Sequence, residues 1–371
     1  MEFNDVRLQF EQLRDEISSA VMSTLAGGRY ILGPTTEKFE EEFAAYCRAS
    51  EGVGVASGTD AVAIGLQALG VRRGDHVLVP AVSAPATAMA VTMIGAIPVF
   101  ADIAPDDFTL DPTSAADRMS RRVRAIVAVH LYGMPARLKE LSRLGAPLLE
   151  DAAQAHGSSA SWGRCGSFAR AAAFSFYPTK NLGAYGDGGM IVTSENSIAE
   201  KCRLLRNYGQ RENYASDIQG QNSRLDEVQA AILRVKLKRL DMWNRRRREI
   251  AASYRRAFAE LPLKLQAETG SSNYHLFVVT TPERDTLRAH LRSLDIPALV
   301  HYPIPLHRQK AFEEFEPARC PNADQLCARV LSLPIHASMT DADVEKVIAG
   351  VRSFPAFSRP SRQADDREPE R

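Results

Sequence analysis

Short apolar runs recur through the first half of the chain, each closed by small or polar residues. Val53–Ala56, His76–Val79, Ile97–Ala101, Ala125–Val129 and Pro147–Leu149 have the length and continuity of strands buried on both faces. Between them lie stretches with apolar residues at helical spacing, among them Asp60–Leu69 and Thr87–Ile94. This alternation predicts an α/β fold: a mostly parallel central sheet with helices on both faces. Ala171–Ser175 and Met190–Thr193 are two further strand candidates, expected as a hairpin or as neighbours around a glycine-rich loop.

From Arg224 the pattern turns helical and stays so to about Glu260. Leu225, Val228, Ile232 and Val235 share one face, continued by Leu240 and Trp243, which predicts one long helix bridging two domains. A strand (Leu276–Thr280), a helix (Arg284–Leu294), a proline-rich loop (His301–His307) and two short helices then predict a small C-terminal α+β domain. The expected division is a large domain over 1–240, a small one over 241–357, and a polar, disordered tail over 358–371.

Composition narrows the class. The 371 residues are 45% hydrophobic, enough for a large core plus a smaller one. A formal net charge of +1 leaves no electrostatic footprint for nucleic acid or an anionic membrane. Arg245–Arg248 is followed by Glu249 inside a helical pattern and reads as a solvated helix face. Cys47, Cys165, Cys202, Cys320 and Cys327 have no paired spacing, and the N-terminal residues lack a basic segment followed by an apolar one. Reduced thiols in a cytoplasmic protein are therefore expected. Ala84–Ala101 is apolar but broken by Pro85, Gly95 and Pro98, so it reads as a helix and a strand, not a membrane span.

The chemistry gathers where predicted strands end, the edge at which α/β sheets collect ligands. Lys180 lies in SFYPTKNLGAYGDGG, flanked by small and hydroxyl residues. A lysine held there can lose its proton and form a Schiff base with an aldehyde cofactor, although most lysines are solvated surface charges. The apolar run of PLLEDAAQAHG ends in Asp151, suited to keep a pyridine nitrogen protonated, with Gln154 placed to bond the ring hydroxyl. Glu150 and Asp151 are neighbours on a strand and face opposite ways, which argues against a shared carboxylate site. Ser57-Gly58-Thr59-Asp60 opens a helix; its N–H groups can cradle a phosphate, or it is a plain N-cap. His130, His156, His301 and His307 lack ligand spacing, so no metal is expected.

These segments occur in a fixed order with HLYGMP, RNYGQ, GQNSRLDEVQAAIL, HYPIPLH and LSLPIHASMT, from about Tyr30 to about Phe354. The ordered set resembles the DegT/DnrJ/EryC1/StrS family of pyridoxal phosphate-dependent sugar aminotransferases. The resemblance implies the fold-type I architecture of aspartate aminotransferase-like transferases, with pyridoxal 5′-phosphate as cofactor. It implies that Lys180 holds the cofactor and moves the proton, and that Asp151 holds the pyridinium. Gly58, Thr59, Asp60 and Ser175 would surround the phosphate. Asn222 would reach the neighbouring subunit's cofactor, making a homodimer with shared active sites. His301, Tyr302 and His307 would contact substrate. Many relatives place an aromatic side chain over the ring where this chain has Ala84, in PAVSAPATA.

GDGG after the lysine, with RNYGQRENY and HYPIPLH, looks like the enzymes that aminate a nucleotide-linked 3-oxo-6-deoxyhexose, usually dTDP-linked. L-glutamate would be the donor and a 3-amino-3,6-dideoxy sugar nucleotide the product. A UDP-linked 3-oxo uronate or a 4-oxo-6-deoxy sugar is the alternative substrate. Sugar dehydratases of this type carry histidine in place of the lysine. A non-catalytic cofactor-binding regulator would usually add a DNA-binding extension.

Overall fold

The computed structural model describes residues 1–211 and 214–358; the polar tail expected over 358–371 lies outside them, Ser358 apart. Two helices lead, α1 (Val6–Gly27) and α2 (Pro34–Cys47). The large sheet then begins: β1 (Glu51–Val55), α3 (Gly58–Ala68), β2 (His76–Pro80), α4 (Pro85–Met93), β3 (Ile97–Ala101), α5 (Pro112–Asp117), β4 (Val123–Val129), α6 (Leu138–Ser142) and β5 (Leu148–Asp151). A small hairpin, β6 (Ser159–Ala160) and β7 (Gly163–Arg164), precedes β8 (Ala171–Ser175), β9 (Gly189–Thr193) and α7 (Asn196–Leu205).

The seven strands run in the order β1-β9-β8-β5-β4-β2-β3. Only β9 is antiparallel to its neighbours; the others point one way. The apolar runs form strands because helices cover both faces. Val53, Val77, Val127 and Leu149 enter one core with α3 and α4. Phe174, Met190 and Val192 enter a second with Phe39 and Phe43 of α2. The C-terminal ends of β1, β2, β5 and β8 therefore open on one edge.

The helix expected over Arg224–Glu260 is two helices, α8 (Glu227–Leu237) and α9 (Leu240–Phe258). Arg239, at φ −103° and ψ −10°, caps the second. The apolar stripe slips here, because Val235 to Leu240 is a step of five where a continuous face needs three or four. A three-stranded antiparallel sheet follows: β10 (Lys264–Leu265), β11 (Phe277–Thr280) and, after α10 (Arg284–Ser293) and α11 (Pro321–Arg329), β12 (Val330–Leu333). With α9, α10 and α12 (Asp341–Arg352) it encloses its own core around Tyr254, Phe277, Leu291 and Val347. All five cysteines are buried free thiols. No helix among the described residues is long and apolar enough to cross a membrane.

Candidate active site

The strand ends enclose a pocket of about 230 Å³, lined among others by Gly58, Thr59, Ala84, Thr87, Asp151, Gln154, Ser175 and Lys180. Glycine is required at 58, because a Cβ there would stand 2.5 Å from the Cβ of Ser175. That close approach brings the start of α3 against the end of β8. Ser57 caps α3: its Oγ accepts from Asp60 N at 3.1 Å and its carbonyl from Ala61 N at 3.0 Å. The N–H groups of Gly58 and Thr59 find no acceptor among the described residues, so the positive end of α3 faces the pocket. The Asp60 carboxylate turns away and accepts from Gln221 Nε2 at 3.2 Å and Ser223 Oγ at 2.8 Å.

Asp151 is 5% exposed and ends β5 on the pocket side. Oδ1 accepts from Ala153 N at 3.2 Å and Oδ2 from Thr87 Oγ1 at 2.7 Å. Glu150 points the other way, as alternation along the strand requires. It takes His130 Nε2 at 2.9 Å and the N–H groups of Gly166, Phe168 and Ala169 at 2.7, 3.0 and 2.8 Å. Gln154 Oε1 accepts from Tyr132 N at 2.6 Å, and its Nε2 donates to the Tyr302 hydroxyl at 3.0 Å.

Lys180 forms no ion pair among the described residues. Burial pushes its amine down to about 8, with the negative charge of Asp151 opposing that shift. The flanking histidines add no positive charge. Burial first, and the lysine second, push His156 to about 3 and His301 to about 4, and His275 well below the ordinary imidazole value. Asn181 anchors the lysine loop: its Nδ2 donates to Asn244 Oδ1 at 2.8 Å and to Asn273 O at 3.0 Å. Its Oδ1 therefore accepts from His275 Nδ1 at 3.2 Å.

Of the residues singled out from sequence, Gly58, Thr59, Asp151, Gln154, Ser175 and Lys180 meet in the pocket. Tyr302 joins through Gln154. His301, next to Tyr302 in the chain, does not itself line the pocket; its Nδ1 faces Ser332 Oγ at 2.9 Å. Asp60, expected at the phosphate, does not line the pocket: its N–H is spent on the Ser57 cap and its carboxylate on Gln221 and Ser223. Asn222 is exposed on an extended segment bridged to Asn207, between the two residues that hold Asp60. His307 is not brought to the pocket; its Nε2 lies 3.3 Å from Asp324. Ser83, Thr87 and Asn181 were not singled out. Only Asn181, next to the lysine, carried any sequence signal.

The pocket fits pyridoxal phosphate by its donor set. Free N–H groups at a helix start suit a phosphate, a carboxylate suits a ring nitrogen, and an amine with lowered pKa suits an aldehyde, all in one lining. The pattern of the DegT/DnrJ/EryC1/StrS aminotransferase family matches residues 11–352. A Streptomyces venezuelae protein named dTDP-3-amino-3,4,6-trideoxy-alpha-D-glucose transaminase is 45% identical over 361 residues, 95% of each chain. The Saccharopolyspora erythraea erythromycin biosynthesis sensory transduction protein EryC1 is 43% identical, over 95% of this chain and 98% of its own. The crystal structure of S. venezuelae DesV in complex with a ketimine intermediate superposes with a TM-score of 0.93 at 44% identity, covering 97% of this chain and 99% of that one.

Proposed function

Because the chain belongs to the DegT/DnrJ/EryC1/StrS aminotransferase family, and is a pyridoxal phosphate-dependent aminotransferase of fold-type I, we propose that it aminates C3 of a nucleotide-linked 3-oxo-6-deoxyhexose. L-glutamate is the donor in this reading and dTDP the carrier nucleotide. The observation that carries it is the pairing of Lys180 and Asp151 in one pocket beside the open start of α3. The activity named for the 45% identical Streptomyces relative supports the choice of a dTDP-linked sugar aminated at C3.

Bound there, pyridoxal phosphate supplies an electron sink that loosens a C–H bond beside the amino nitrogen. The protein does the rest. Lys180 Nζ takes the proton from the donor's α-carbon and, in the second half-reaction, hands one to C3 of the sugar. Its lowered pKa suits a group that must accept and release protons near neutral pH. Asp151 would hold the ring nitrogen and Gln154 the ring hydroxyl. The free N–H groups of Gly58 and Thr59 at the start of α3 would receive the phosphate, with Ser175 beside it. Tyr302, bonded to Gln154, and its chain neighbour His301 would meet the sugar; His307, whose Nε2 lies beside Asp324, is given no contact.

The proposed assembly is a homodimer with shared sites. Asn222 is exposed and does not line its own pocket, and the segments around it expose Tyr208 and Ile218.

A single-turnover colour test decides the chemistry. Glutamate should bleach the yellow enzyme, and after its removal a dTDP-linked 3-oxo-6-deoxyhexose should restore the colour. Return with only a 4-oxo sugar overturns the position, and return with only a UDP-linked 3-oxo uronate overturns the carrier. Failure of glutamate to bleach overturns the donor.

A further inference from the structure

We propose that Thr87, in the first turn of α4, is the positioning residue that aims Asp151 at the cofactor's ring nitrogen, with Ser83 reinforcing it. The Thr87 hydroxyl lies 2.7 Å from Asp151 Oδ2, and Ser83 Oγ lies 2.7 Å from Thr87 Oγ1. Thr87 is 1% exposed and Ser83 2%, so water does not compete for either hydroxyl.

The direction of this chain follows from proton counting. A carboxylate oxygen only accepts, and Thr87 owns one hydroxyl proton. Thr87 therefore donates to Asp151, and Ser83 must donate to Thr87. A hydroxyl that accepts one bond donates a stronger one, so Ser83 tightens the grip of Thr87. With Ala153 N on Oδ1, each carboxylate oxygen holds one donor from the wall and keeps a lone pair for the pocket. The carboxylate is thus fixed in rotation before any ligand arrives.

Ala84 gives this grip its importance. The wall built by Ser83, Ala84, Ala86 and Thr87 presents no aromatic face. Ring orientation then depends more on edge contacts, among them the Asp151 carboxylate. A threonine that merely satisfied its own hydroxyl in a packed wall would affect stability and leave the cofactor's binding alone.

The inference rests on Asp151 being the partner of the ring nitrogen, and Asp151→Asn tests that premise separately. Wild-type cofactor affinity in Asp151→Asn would sink the premise itself, not the role of Thr87 alone. With the premise standing, apo-protein is titrated with pyridoxal phosphate, and the ring-nitrogen NMR signal is read in holoenzyme loaded with isotope-labelled cofactor. Thr87→Val should weaken binding about tenfold, the factor carried by one hydrogen bond to a charged group. Its ring-nitrogen signal should move toward that of a neutral pyridine, and Thr87→Ser should restore both. Ser83→Ala should weaken binding about threefold and carries the test if Thr87→Val does not fold. Unchanged affinity and an unchanged ring-nitrogen signal in Thr87→Val, or in Ser83→Ala where that variant stands in, overturns the proposal even if the variant melts earlier.

Discussion

Glu150→Gln is nearly isosteric and should nevertheless cost this protein much of its stability. The carboxylate is fully buried and saturated: Oε2 takes His130 Nε2 and Gly166 N, and Oε1 takes Phe168 N and Ala169 N. An amide offers one acceptor end and one donor end. Turned either way, its NH₂ meets two donors. The imidazole cannot rescue it by changing tautomer, because Ala136 N already donates to His130 Nδ1 at 2.9 Å. Two bonds to a charged acceptor are lost at about 1.5–3 kcal/mol each, for a total of about 3–6 kcal/mol. In a chain of this size that corresponds to a fall in Tm of roughly 4–8 °C. Urea unfolding of the holoenzyme, followed by circular dichroism with the m-value unchanged, measures it. The folded variant should bind pyridoxal phosphate as the parent does, since Glu150 lies on the strand face away from the pocket. A loss below about 1 kcal/mol would refute the donor count. A loss of cofactor affinity without a loss of stability would refute the facing.

The amine of Lys180, with a pKa of about 8, reacts as the free base, so capture of pyridoxal phosphate by apo-protein should quicken as pH rises and level off above that value. Below it the rate should climb about tenfold per pH unit, and a flat profile from about pH 6 to about pH 9 in absorbance kinetics would contradict it. Gly58→Ala puts a Cβ 2.5 Å from the Cβ of Ser175 and should weaken the cofactor complex. The loss expected by titration is about tenfold or more, partly recovered by adding Ser175→Gly. Arg247→Met leaves the carbonyls of Tyr274, His275 and Ile335 without the guanidinium that reaches them at 3.1, 3.4 and 2.7 Å. A loss of at least about 3 kcal/mol in urea unfolding is expected, and an unchanged midpoint would contradict it.

What could be read from the chain follows from how each feature is encoded. The strands of the large sheet were legible because burial on both faces leaves uninterrupted apolar runs, and Asp151 and Ser57 were legible because they end such runs. Helix α1 was not, since two of its four buried positions are Gln9 and Thr24, too thin a stripe to register. It is held instead by contact with Ile232, Val235 and Trp243 far along the chain. Strand β12 was missed because its four residues lie directly against α11 with no turn signal between them. The same division runs through the site. Lys180 carries a local signature, whereas Thr87 sits in an alanine-rich turn that looks like any small-residue helix start. Its importance arises only when β5 brings Asp151 to it, 64 residues on. Tyr302 and Gln154 meet across 148 residues. Residues that bear the reaction end local patterns and can be found in one dimension. Residues that aim them are supplied by whichever element the fold lays alongside, so Thr87 becomes visible only in the packed structure.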